Sequence, residues 1–203
     1  MKKTQNRIIS PHAGWRLCLY VLLLALGSCS SCKKEVNALP DATQTGANTF
    51  GCLIDGKAWV PRGRFTVPNT PPIIGGYRDP VGGRGKHSVS LYLTQDDRSS
   101  MAIYVKAVIK AGRYSLSFDT DIDPIYATTN NYGLYTIDGF MVDDPDYNYV
   151  TTSKYVGYVD FTIADTITKQ LSGTFAFDAI DAPSKRTIRV TDGRFDLNQL
   201  KRP

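Results

Sequence analysis

The sequence predicts an all-β domain: an antiparallel β-sandwich, with a closed or partly closed β-barrel as the alternative. Three observations lead there. Beyond residue 48, apolar residues recur at every second position, as half-buried strands require. The alternating segments are short and separated by Gly, Pro, Asn and Asp. After residue 28 nothing carries a 3.6-residue period, and no β–α alternation asks for a parallel sheet.

The strands come in this order. Phe50 to Ile54 and Lys57 to Val60 flank Asp55-Gly56, a pair that supplies the positive φ angles of a tight hairpin. Pro61 to Arg84 is rich in Pro and Gly and reads as a long loop around a short strand at Ile73-Ile74. His87 to Thr94 puts Val89, Leu91 and Leu93 on one face and Ser88, Ser90 and Tyr92 on the other. Asp96-Asp97-Arg98-Ser99 turns the chain into Met101 to Val108, with Ile103 and Val105 inward. Gly112 to Leu116 opens a further short strand. Tyr155 to Ala164 places Val159, Phe161 and Ile163 together, and Leu171 to Phe177 places Leu171, Phe175 and Phe177 together. Arg186 to Thr191 carries Ile188 and Val190; Asp192-Gly193 reads as a hairpin turn into a last strand, Arg194 to Leu197.

Ahead of this domain lie two segments of another kind. Residues 1–28 have the form of an export signal: Lys2, Lys3, Arg7 and Arg16, then an uncharged run from Leu17 to Gly27. That run is too short to span a bilayer core, which takes about 20 residues. It ends in Leu26-Gly27-Ser28-Cys29, which resembles the bacterial lipobox. The resemblance implies cleavage before Cys29, diacylglycerol on its thiol and an acyl chain such as palmitate on the new N-terminus. Residues 29–48 then read as a lipid-anchored flexible tether: polar, with Pro40 and Gly46. The 19 residues after Cys29 would reach roughly 25 Å as a flexible coil. The domain itself is placed at 49–203.

Removing the signal changes the charge balance. The chain has a formal net charge of +5, but residues 1–28 hold four of its 24 Lys+Arg and none of its 19 Asp+Glu. Residues 29–203 are near neutral, at 20 against 19. They lack the basic footprint of a nucleic-acid binder. The expected partners are a membrane, through the N-terminal lipid, and a glycan or an envelope protein. The expected location is the cell envelope, on the outer membrane, with the periplasmic face favoured because no acidic run comes after Cys29. An oxidising envelope permits Cys32 and Cys52 to pair; the plainer reading is an unpaired tether Cys and a strand Cys.

Catalytic signals are sparse. His87 is the one His after residue 28, and no Gly-x-Ser-x-Gly elbow is present. Asp119-Thr120-Asp121-Ile122-Asp123 spaces three carboxylates as an EF-hand opening does, but Pro124 occupies the position of the turn Gly and Asn130 that of the bidentate Glu. Asp119, Asp121 and Asp123 are therefore weak calcium candidates, and no other cofactor is expected. Residues 119–150 concentrate rings, carboxylates and amides suited to sugar faces and hydroxyls. The candidate ligand-binding set is Asp119, Asp121, Asp123, Tyr126, Tyr132, Asp143, Asp144, Asp146 and Tyr147. The same tyrosines also suit strand packing.

Four strings then carry a resemblance: Phe50 to Trp59, Gly157 to Phe161, Leu171 to Phe177 and Ile188 to Asp196. Together they look like a family of small lipoproteins of unknown function from Bacteroidetes-type bacteria. The resemblance implies fold, anchoring and compartment, and no active site. The expected function is a non-enzymatic binding or accessory module. The alternatives are an envelope hydrolase using paired Asp residues and a structural partner in an outer-membrane complex.

Overall fold

The computed structural model describes residues 38–65, 68–78, 87–117, 130–138 and 146–198. Among them are eleven strands and no helix. In chain order they are β1 (Thr49–Ile54), β2 (Lys57–Trp59), β3 (Ile73–Arg78), β4 (Ser88–Thr94), β5 (Ser99–Val105), β6 (Gly112–Leu116), β7 (Tyr132–Ile137), β8 (Tyr147–Val150), β9 (Gly157–Ala164), β10 (Gln170–Asp181) and β11 (Thr187–Asn198). All pairings are antiparallel.

β10 organises the rest. One of its edges pairs with β11 from Gln170 to Ile180. The other edge is divided: residues 171–177 pair with β9, and Ile180 and Asp181 pair with β8. The sheet forks there, β9 leading to β6 and β8 leading through β7 and β5 to β4 and β3. On the far side β11 leads to β1 and β2. The whole curls into a half-barrel. Because β10 hydrogen-bonds into both arms, the layers are one continuous sheet, which is the partly closed barrel and not two separate sandwich sheets. Single bonds link the β2 margin to the opposite arm. Trp59 Nε1 donates to Ser99 Oγ at 2.8 Å, and the amides of Arg62 and Gly63 donate to the Thr94 carbonyl at 3.1 and 3.0 Å.

Period two decides what fills the interior. Val89, Leu91 and Leu93 are buried while Tyr92 faces water, and Met101, Ile103 and Val105 are buried opposite them. Phe50, Phe161, Phe175, Phe177 and Phe195 form the aromatic centre, with Phe50 and Phe175 centroids 5.0 Å apart and Phe161 edge-on to Phe195 at 5.6 Å. Each such side chain contributes about 1.5–3 kcal/mol by leaving water. Gly157 and Gly173 let strands approach: a Cβ at Gly173 would lie 2.2 Å from the Asp160 carbonyl oxygen.

Several expectations are corrected. Asp55-Gly56 forms the predicted hairpin, with φ of 49° and 81°. Asp192-Gly193 does not. β11 runs through it unbroken, and Asp192, at φ 52°, is one extra residue opposite both β10 and β1. This is a β-bulge, and its extra residue here takes the same positive φ as a tight-turn residue. It resets the parity of the strand: Ile188 and Val190 point inward before it, Phe195 and Leu197 after it. Thr162 is a second extra residue, in β9. In consequence Ala164, not Ile163, joins Val159 and Phe161 against the core. β3 continues four residues past Ile74 through Gly75 and Gly76, at φ 114° and 137°. β5 ends at Val105, before Ala107 at φ 58°. β7 and β8 lie inside 119–150, where the sequence pattern marks no strand.

Part of the segment expected to be a flexible tether is placed on the domain. Residues 40–48 lie along the domain, held mostly by one carboxylate. Asp196 of β11 accepts from the Thr43 hydroxyl at 2.6 Å and from the amides of Thr45, Gly46 and Ala47 at 2.8, 2.8 and 3.2 Å. Gln170 Nε2 adds a bond to the Gln44 carbonyl at 2.8 Å. No periodicity marks this segment because its bonds converge on one side chain and not on a ladder.

Candidate functional site

Of the nine ligand candidates, Asp119, Asp121, Asp123, Tyr126, Asp143 and Asp144 lie outside the described residues. Tyr132, Asp146 and Tyr147 lie within them. Tyr132 is buried at the start of β7 and stacks on Tyr104 at 5.7 Å. Tyr147 is half-buried on β8. Its ring stacks on Tyr149 at 6.1 Å, and the Arg186 guanidinium sits 4.9 Å from its centroid and donates to its hydroxyl at 3.1 Å. Tyr149 continues to Tyr135 at 6.2 Å, and Tyr135 to Trp59 at 6.2 Å. This row runs from the rim into the core, and burial pushes the Tyr135 phenol up to about 12. Tyr132 and Tyr147 thus pack against neighbouring rings, and Asp146 is exposed just before β8.

The described carboxylates with displaced pKa values hold structure. Burial works to raise Asp196, but the Thr43 and Ser172 hydroxyls and the amides of Ala47 and Gly46 outweigh it and hold the carboxyl well below the usual range. Burial also opposes ionisation of Asp181. There the Ser184 hydroxyl, the amides of Asn148 and Ser184, and Arg186 win, fastening the β10–β11 turn to β8. Asp165 is lowered by the Thr168 hydroxyl and by the amides of Ile167 and Thr168 in the β9–β10 turn. His87, half-buried, meets Tyr77 edge-on at 6.0 Å. Cys52 is fully buried with a free thiol, which burial pushes up. Among the described residues no three His, Cys, Asp or Glu side chains gather as a metal set.

A cleft of about 470 Å³ opens on the outer face of β10 and β11, where the β1–β2 turn and the segment before β9 meet them. Asp55, Tyr155, Asp178, Thr187, Arg189 and Thr191 supply its polar lining. Local geometry fixes it. The Arg189 amide donates to Asp55 Oδ1 at 2.9 Å, and the Asp55 amide donates to the Arg189 carbonyl at 2.9 Å, so the hairpin turn is docked on β11. Across the ladder Arg189 faces Asp178, and its Nε donates to Oδ1 at 3.0 Å. Tyr155 is held by its own amide on Thr152 Oγ1 at 3.0 Å and by its carbonyl, which accepts from the Thr152 amide at 2.8 Å. A ring, two carboxylates, a guanidinium and two hydroxyls thus share one concave surface. That set can stack on an apolar ring face and exchange hydrogen bonds with several hydroxyls at once. Sequence reasoning missed it because its members come from four separate segments. The one signal was the outward parity of Thr187, Arg189 and Thr191.

The class of protein these features define is an all-β half-barrel with a polar surface cleft. No family model matches the chain, and no curated protein or solved structure matches it either.

Proposed function

We propose that the chain is a lipid-anchored envelope protein whose half-barrel binds a polyhydroxylated ligand, of the glycan class, in the cleft beside Tyr155 and Arg189. The observation that carries the binding is the juxtaposition of the Tyr155 ring with Asp55, Asp178, Arg189 and two threonine hydroxyls. Anchoring is supported by Leu26-Gly27-Ser28-Cys29.

The test is a thermal melt of the chain from residue 29 onward against a glycan panel. A ligand at 100 times its Kd adds about 2.7 kcal/mol, which moves the midpoint by roughly 5–11 °C for a domain of this size. The expected result is one glycan class that shifts the wild type and fails to shift Tyr155→Ala and Arg189→Ala. A flat panel, or a shift that survives both substitutions, overturns the assignment. Acylation is checked by the mass of the N-terminal peptide from membranes. It is expected to begin at Cys29 and carry lipid, and Cys29→Ala is expected to release the chain from the membrane fraction.

A further inference from the structure

Strand directions bring three connections to one end of the half-barrel. These are the β5–β6 connection (106–111), the β9–β10 turn (165–169) and the last residue of β11. β6 pairs with β9 as Gly112 with Phe161, so the residues before Gly112 run beside those after Phe161. Two isoleucines stand out in water there: Ile167 is 90% exposed and Ile109 is 59% exposed. The Ile167 turn is firmly built, since Asp165 Oδ1 accepts from the amides of Ile167 at 2.7 Å and Thr168 at 3.2 Å.

Positive charge surrounds them. Arg78, Lys106 and Lys110 are exposed at this end, and Lys169 lies 5.9 Å from the Tyr77 ring. Among the described residues of these segments the one carboxylate is Asp165, whose Oδ1 accepts two amides of the turn. The chain after residue 28 is almost neutral, so this end departs from the average. Exposed aliphatic tips ringed by Lys and Arg match the layering of an anionic bilayer surface, with acyl chains beneath phosphates.

The leash points the same way. With residues 40–48 held on the domain, ten residues lie between Cys29 and Pro40. Even fully extended, the eleven Cα-to-Cα steps from Cys29 to Pro40 span at most about 36–40 Å, about the length of β10 at about 3.3 Å per residue. Gln44 and Gly46 sit at this same end, against Gln170 and Asn198.

We propose that this end of the half-barrel docks on an anionic lipid surface, with Ile109 and Ile167 entering the headgroup layer and Arg78, Lys106, Lys110 and Lys169 facing phosphate oxygens. This deepens the lipoprotein reading, which supplies the nearby bilayer, while the surface chemistry belongs to this end alone. The cleft, built around the Asp55 turn and the start of β11, then opens away from the lipid.

The experiment separates the two ideas by removing the acyl chain. The chain from residue 29 onward, as Cys29→Ser, is sedimented with vesicles of mixed phosphatidylcholine and phosphatidylglycerol and with phosphatidylcholine alone. Binding is expected to the mixed vesicles and to weaken as salt rises. Ile109→Asn with Ile167→Asn is expected to cost at least tenfold, and Lys110→Glu at least fivefold, with melting points unchanged because all three side chains are exposed. No binding to the mixed vesicles, or equal binding by the isoleucine double variant, overturns the proposal. The mass of the N-terminal peptide reads the anchor separately. Vesicle binding without acylation at Cys29 would sink the lipoprotein reading and leave the docking surface standing. Acylation without vesicle binding would do the reverse.

Discussion

Replacing Asp196 tests how the N-terminal segment is fastened. Its two oxygens accept from the Thr43 and Ser172 hydroxyls and from three consecutive amides, at 2.6–3.2 Å. Hydrogen bonds to a charged acceptor contribute about 1.5–3 kcal/mol each, so five amount to roughly 8–15 kcal/mol. Ordering residues 43–47 costs about 1–2 kcal/mol per residue, roughly 5–10 kcal/mol in all. The central values differ by about 4 kcal/mol, which is the stability Asp196→Ala is expected to lose, with a midpoint lower by roughly 8–16 °C. Asp196→Asn keeps the volume but turns one acceptor into a donor. That group must face either the Gly46 amide with the Ser172 hydroxyl, or Thr43, Thr45 and Ala47. It therefore recovers at most about half the loss. The assay pairs a thermal melt with hydrogen exchange at Thr45, Gly46 and Ala47. Both variants are expected to lose protection at these amides while the β10–β11 ladder keeps its own. Retained protection, or an unchanged melt for Asp196→Ala, would refute the reasoning.

Three further outcomes rest on the same geometry. Asp165, Asp181 and Asp196 bind protons less readily folded than unfolded, so the stability they give is complete above about pH 4 and is lost as pH falls through their folded values; a melt series should show an acid-side decline that is shallower in Asp181→Asn, and an equal slope would sink the assignment. Gly157→Ala would set a methyl 2.2 Å from Phe177 Cβ, and overpacking of this kind costs about 1–3 kcal/mol, or roughly 2–12 °C in the melt. Cys52 is fully buried and its thiol is pushed up, so site-resolved mass spectrometry should find it unalkylated in the native protein and modified only at the rate of unfolding; modification as fast as in denaturant would show that the site is open.

Period two was legible wherever a strand kept one parity. β4 and β10 do so throughout, and their inward sets, Val89 to Leu93 and Leu171 to Phe177, read directly from the sequence. β11 hid itself because its parity changes at Asp192, and a local pair such as Asp-Gly serves a hairpin and a bulge equally well. Only the partners decide between them, and one of the two, β1, lies at the other end of the domain sequence. β7 and β8 were obscured for a different reason. Tyr132, Tyr135, Tyr147 and Tyr149 are amphipathic, so the same residues suit a strand or a ligand platform, and it took the stacking on Tyr104, Trp59 and Arg186 to assign them to packing. The cleft was not readable, because a pocket on an outer sheet face depends on which turn folds onto which strand. The docking of residues 40–48 left no pattern either, since the information lies in a single Asp more than 140 residues away.

The segment held by Asp196 also determines where force enters the molecule. A pull on the chain ahead of residue 38 reaches the sheet at a side chain of β11, not at the first residue of β1. The bonds that resist it converge on one carboxylate and load together, whereas the backbone ladders behind them share load along twelve-residue strands. The segment therefore peels first. Freeing residues 40–48 releases about 30 Å of chain at full extension before any strand is stressed. Under tension the half-barrel gains slack before it loses structure, and the slack returns when Asp196 recaptures the same three amides.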